Sequence, residues 1–302
     1  MRISRRSLLL GGVWHIWGQE SKFSADVNVV TLLATVHDKE GRVVKNLGRE
    51  DFVLQEDGKA QTISYFTRES DLPLTVGLLV DTSRSQIRVL EPERKASYTF
   101  LDQVLREGKD LAFVESFDIQ VEVLQGLTSS RTELAAALDR LQIPGRTATL
   151  LYEAIREASE NLMRRQPGRK AFVLLSDGVS WADKTTIGTA IEFAQRADTI
   201  IFAILFSGFG GGRGRGRGGL AHERGRMVME RLARETGGAF FEVSARNPIE
   251  KTYAEIEDAL RNQYSIGYTP ARAGKSGEFH KIKLTTKKRG LMVQTRDGYY
   301  SK

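Results

Sequence analysis

Residues 81–85 read Asp-Thr-Ser-Arg-Ser, which sets one carboxylate and two hydroxyls at alternate positions. These are hard oxygen donors, suited to Mg²⁺, Mn²⁺ or Ca²⁺ rather than to a soft metal. The run Leu74-Thr75-Val76-Gly77-Leu78-Leu79-Val80 leads straight into them. A continuous apolar run marks a strand buried on both faces. Residues just past the C-terminal end of such a strand lie where open α/β sheets place their ligand sites. Asp81, Ser83 and Ser85 are therefore candidate ligands of a divalent cation.

A cation site draws ligands from more than one loop, and two further loops offer them. Gly145-Arg146-Thr147-Ala148-Thr149 precedes a predicted helix and carries two hydroxyls. Ser176-Asp177-Gly178 follows the apolar strand Ala171–Leu175. Each feature also has a plainer use. Asp and Ser cap helix N-termini, and Asp-Gly is a common turn after a strand.

The elements that must position these residues alternate along the chain. Strands are predicted at Leu74–Val80, Leu111–Ser116, Val121–Gln125, Ala171–Ser176, Thr199–Phe206 and Ala239–Val243. Helices are predicted at Glu91–Arg106, Arg131–Leu141, Leu150–Arg164, Thr185–Arg196, His222–Glu235 and Pro248–Asn262. In the third of these, Leu151, Ala154, Ile155, Ala158 and Leu162 share one face. The alternation predicts an α/β fold, a doubly wound and mostly parallel sheet with helices on both faces.

The flanks have a different texture. Val27–Val36, Phe52–Gln55 and Thr62–Phe66 before the α/β segment, and Tyr264–Tyr268, His280–Thr286 and Leu291–Thr295 after it, read as short strands. Neither flank alone has strands enough to bury a core. The expected organisation is a segment 1–25 that is a targeting signal or disordered, strands in 26–70, the α/β domain in 73–262, and strands in 263–302. The two strand segments would pair as one smaller β-domain around the inserted α/β domain. The alternative is that each docks separately on it.

Composition narrows the chemistry. The chain has 302 residues, 40% hydrophobic and 27% charged, with a net charge of +7 and no cysteine. Disulfide scaffolds, Cys-type zinc and thiol catalysis are excluded, and no apolar run approaches the length of a membrane span. Ser4-Arg5-Arg6-Ser7-Leu8-Leu9 resembles a twin-arginine export signal, so a periplasmic or extracellular location is expected, with the cytoplasm as the alternative. A haloacid-dehalogenase-type phosphatase needs a second carboxylate where Ser83 stands. The four histidines suggest no Ser-His-Asp arrangement, and the P-loop string is missing. Gly214, Gly216 and Gly219 satisfy G-x-G-x-x-G only because residues 208–219 are an Arg-Gly repeat. Arg213, Arg215 and Arg217 in that repeat offer an alternative function, the binding of RNA or another acidic surface. The plain reading of the repeat is a surface insertion between a strand and a helix.

The D-x-S-x-S string, Thr149 in Thr149-Leu150-Leu151-Tyr152-Glu153-Ala154, and Asp177 at a later strand end follow the order of the metal-ion-dependent adhesion site (MIDAS). The chain thus resembles von Willebrand factor A (VWA) domains. The resemblance implies that Ser83, Ser85 and Thr149 ligate a cation through hydroxyls, while Asp81 and Asp177 hold it mainly through water. Thr147 stays an alternative to Thr149, and Arg146 stands where many relatives have glycine. An open coordination position would take an Asp or Glu carboxylate of a partner protein, and no reaction is required. The flanks, including Glu50–Lys59 and Gln263–Tyr268, resemble a bacterial group of VWA-related proteins described from acidobacteria.

Overall fold

The computed structural model of the protein describes residues 29–69, 72–145, 148–206, 217–270 and 275–301. Ahead of the α/β segment come β1 (Val30–His37), β2 (Phe52–Glu56), β3 (Lys59–Gln61) and β4 (Tyr65–Glu69). The segment itself runs β5 (Leu74–Asp81), α1 (Leu90–Val104), β6 (Leu111–Phe117), β7 (Val121–Thr128) and α2 (Arg131–Asp139). Next is α3 (Leu151–Glu157), extended by a π-helical stretch over Ala158–Met163, then β8 (Arg169–Ser176) and α4 (Ile187–Arg196). It ends with β9 (Thr199–Phe206), α5 (Arg217–Thr236), β10 (Phe240–Val243) and α6 (Ile249–Arg261). The remaining strands are β11 (Gln263–Tyr268), β12 (Phe279–Thr286), β13 (Met292–Gln294) and β14 (Gly298–Tyr300).

Six strands form the central sheet in the order β10-β9-β8-β5-β6-β7. All neighbours are parallel except the edge pair β6–β7. Every residue of β5, β8 and β9 is buried, which is why these strands read as unbroken apolar runs. Alternate side chains serve opposite faces. Val76, Leu78 and Val80 join one apolar cluster with α1, α2 and α6, whereas Leu79 joins another with α3, α4 and α5. Gly77 interrupts β5 for a steric reason. A Cβ there would stand 2.3 Å from Phe113, whose ring packs edge-on against Phe172 with centroids 6.2 Å apart.

From β5 the chain moves to β6 and β7 on one side, then returns across to β8 on the other. The gap between the C-terminal ends of β5 and β8 is thus the point where strand order reverses, the usual crevice of an open α/β sheet. Asp81 and Ser176 end these two strands side by side.

The outer strands make two antiparallel four-stranded sheets, β13-β1-β11-β4 and β14-β12-β2-β3. Each mixes strands from before and after the α/β segment. Leu32 pairs with Ile266 and Leu54 with Leu284. One apolar cluster, including Leu32, Phe52, Leu54, Tyr264, Ile266 and Leu284, unites both sheets.

Several expected boundaries shift. The strand expected at Thr62–Phe66 lies at Tyr65–Glu69, because pairing with β11 in the register Phe66 to Ile266 sets its limits. Strands β3 and β14 are additional, and at three residues each they are too short to show an alternating pattern. Helix α5 begins at Arg217, inside the Arg-Gly repeat and well before the expected His222. Among the described residues no helix is long and apolar enough to cross a membrane.

Candidate metal centre

Asp81 is fully buried at the end of β5. Its Oδ1 accepts the Ser83 N–H at 2.8 Å and its Oδ2 accepts the Ser176 hydroxyl at 2.6 Å. The first bond folds the chain back so that Ser83 and Ser85 present hydroxyls 3.0 Å apart. Ser83 precedes a short 3₁₀ turn at Arg84–Gln86 without capping it by its side chain, and α1 starts later, after Val89. Helix capping therefore does not account for the serines. Ser83 is buried and Ser85 exposed, so the hydroxyl pair runs from the interior to the surface.

Asp177 follows Ser176 and is half-buried. Its Oδ1 accepts the Val179 N–H at 3.0 Å. The turn is fixed by a close backbone approach. Gly178 has φ +73°, and a Cβ there would fall 2.3 Å from the Gly225 carbonyl oxygen of α5. Burial, and then the nearby Asp177 charge, push the Asp81 carboxyl up to about 7 from its ordinary 3.8, against hydrogen bonds from Ser176 and Ser83. Two carboxyls crowded in this way are relieved by a divalent cation.

Thr149, also buried, sits just before α3. Its N–H and carbonyl bond the backbone of Trp181 at 3.1 and 3.0 Å, tying it to the loop that carries Asp177. The next residue, Leu150, donates its N–H to the Asp118 carbonyl at 3.0 Å. Asp118 in turn accepts the Thr82 hydroxyl on Oδ2 at 3.1 Å. Asp183 completes the frame by accepting the Tyr152 and Glu153 N–H groups at 2.8 and 3.1 Å, which caps α3 from the β8 loop. The three candidate loops are thus held to one another by backbone and carboxylate bonds. Sequence reasoning did not find Asp118, Asp183 or Trp181. Only the position of Asp183 beside a helix start in space could have marked it.

Thr147 and Arg146 lie outside the described residues, as do Arg213 and Arg215 and the expected signal in residues 1–25. Of Arg217 only its place as the first residue of α5 is described. A second cluster, Glu56, Asp57 and His280, was not expected and lies in the outer sheets, apart from Asp81.

This arrangement of sheet, crevice and oxygen donors has a family counterpart. The von Willebrand factor type A domain profile matches residues 76–255, more than half of the sequence. The chain belongs to this family. Comparison with curated protein sequences gives no match. Among solved structures, proximal thread matrix protein 1 from the mussel byssus, described with a zinc-occupied MIDAS motif, has a TM-score of 0.53 and 14% identity. The alignment covers 68% of this chain and 49% of that one, so the chain spans about half the length of the byssus protein. The vWF domain of the type V pili tip protein Mfa5 from Porphyromonas gingivalis has a TM-score of 0.50 and 12% identity, covering 63% of this chain and 95% of that one. At these identities the likeness is one of fold.

Proposed function

We propose that the chain is a non-enzymatic, divalent-cation-dependent protein-binding module, for adhesion or assembly, whose partner presents an Asp or Glu carboxylate. The observation that carries this is the buried Asp81 carboxyl, crowded by Asp177 and connected to the paired hydroxyls of Ser83 and Ser85. The donors fit Mg²⁺, with Mn²⁺ or Ca²⁺ as alternatives, because all are oxygens. Ser83, Ser85 and Thr149 would hold the cation directly, and Asp81 and Asp177 through water. The cation would supply an electrophilic point for a carboxylate. Asp81 stays orienting rather than nucleophilic, since both its oxygens are engaged by Ser83 and Ser176.

The rim favours a protein partner. Trp181, across from Thr149, is 66% exposed, and Ile87, two residues after Ser85, is 63% exposed. Large apolar side chains beside a charged anchor suit a desolvated protein contact. The two outer sheets, whose strands lie between Val30 and Glu69 and between Gln263 and Tyr300, would act as a platform for the domain at 73–262. Export, by the twin-arginine-like segment, fits this role.

The test is calorimetric titration of Mg²⁺ and Mn²⁺ into metal-stripped protein, with Asp81→Ala alongside. Saturable binding that the variant loses is expected, and a partner can then be sought by cation-dependent capture. Full Mg²⁺ binding by a folded Asp81→Ala variant would overturn the assignment.

A further inference from the structure

A second group of ligating atoms meets in the outer sheets. Glu56 ends β2, Asp57 follows it in a tight turn with φ +48°, and His280 lies on the neighbouring strand β12. His280 Nδ1 is 2.9 Å from Asp57 Oδ2 and 3.9 Å from Glu56 Oε1. The three ligating atoms fall within 4.8 Å of one another. Four ligands at zinc's usual bond length are about 3.3 Å apart in a tetrahedron, so His280 Nδ1 already stands within about 0.6 Å of that spacing from each carboxylate.

The outer atoms of the group are anchored in the way metal ligands are. Glu56 Oε2 accepts hydroxyls from Tyr268 and Tyr299, the latter at 3.3 Å. Asp57 Oδ1 accepts the Lys281 N–H at 2.8 Å. The His280 ring stacks on Tyr299 with centroids 5.2 Å apart. These contacts leave one oxygen of Glu56 and one of Asp57 facing Nδ1 of His280, whose buried Nε2 has no hydrogen-bond partner among the described residues. The Glu56 side chain is only 9% exposed, and among the described residues its Oε1 accepts no hydrogen bond. An Asp57–His280 ion pair accounts for two of the three atoms and not for this one.

We propose that Glu56, Asp57 and His280 form a zinc site, separate from the centre at Asp81. One nitrogen and two carboxylate oxygens favour Zn²⁺ over Mg²⁺. Second contacts to both ligating carboxylates are the expected outer support. The Asp57 side chain is 48% exposed, which gives the ion entry and leaves a fourth position for water. The ion would fasten β2 to β12 across 223 residues of chain. It would therefore clip together the two halves of the outer sheets, on either side of the inserted α/β domain, and link zinc to folding stability.

The experiment uses the full chain carrying Asp81→Ala, so that the other centre is disabled, stripped of metal and titrated with Zn²⁺. One equivalent is expected to bind and to raise the melting temperature. Adding His280→Ala should weaken Zn²⁺ binding at least ~10-fold and abolish the thermal gain. Asp57→Asn is the second variant, because Asn accepts the left-handed turn conformation and keeps the fold while weakening the ligand. No saturable Zn²⁺ binding in the Asp81→Ala chain would overturn the proposal. So would binding that survives both further substitutions undiminished.

Discussion

Replacing Asp81 by Asn separates the site's two demands, since it removes the charge and nearly keeps the shape. In the metal-free fold the carboxyl titrates near 7, against 3.8 ordinarily, because it is buried and faces Asp177. The folded chain therefore holds this proton more tightly than the unfolded chain does. Between pH 4 and pH 7 the unfolded state binds fewer protons, so stability falls as pH rises, and it levels off above pH 7. The loss from this one group is about 4 kcal/mol between pH 4 and pH 8. Asn carries no such penalty. Its oxygen can keep the Ser83 N–H bond, and its amide can donate to the Ser176 hydroxyl in place of the bond now running the other way. Rearranging that bond offsets about 1 kcal/mol of the gain. Urea unfolding in EDTA should then show the Asn variant about 3 kcal/mol more stable than wild type at pH 8, a midpoint shift of roughly 1 M or more, and nearly equal to it at pH 4. With saturating Mg²⁺ the order should invert, because wild type alone gains from the ion. Parallel pH profiles for the two proteins in EDTA would refute the reasoning, since Asp81 would then ionise freely in the fold.

Asp183→Ala removes the cap on Tyr152 and Glu153 and loosens the Thr149 loop. It should cost about 1–2 kcal/mol in thermal unfolding and also weaken Mg²⁺ binding by calorimetry. Glu93 on α1 is fully buried, with neither carboxyl oxygen hydrogen-bonded among the described residues, and burial holds it protonated well above the usual range. Glu93→Met should stabilise the fold by about 1–2 kcal/mol at pH 7, measured as a higher urea midpoint. Replacing Arg213, Arg215 and Arg217 by Gln should leave Mg²⁺ binding unchanged. If RNA or an acidic surface were the partner, the same variant would bind it more weakly, with a flatter salt dependence.

The chain's α/β core and its crevice are legible in the sequence because their signals are local. Leu74–Val80 is apolar throughout since β5 is covered on both faces, and Asp81, Ser83 and Ser85 follow at once. Thr149 and Asp177 could be picked out by their order and by the likeness to a known family, because each is tied to the start or end of a strongly patterned element. The strands β3 and β14 could not, since three residues at a sheet edge hold no period. The Arg-Gly repeat concealed the start of α5, because its composition reads as a loop.

What only the tertiary structure decided is the company each residue keeps across long stretches of chain. Asp118 joins the Thr82 turn to Leu150, and Asp183 reaches back about thirty residues to cap α3. The titration of Asp81 near neutral pH depends on its depth and on Asp177, neither of which its own neighbours in sequence reveal. The meeting of Glu56 and Asp57 with His280 follows from the register that sets Glu56 opposite Ile282. A one-residue slip in that register would turn His280 to the other face of the sheet. Sequence fixes which atoms can bind a cation, while the pairing of distant strands fixes which of them meet.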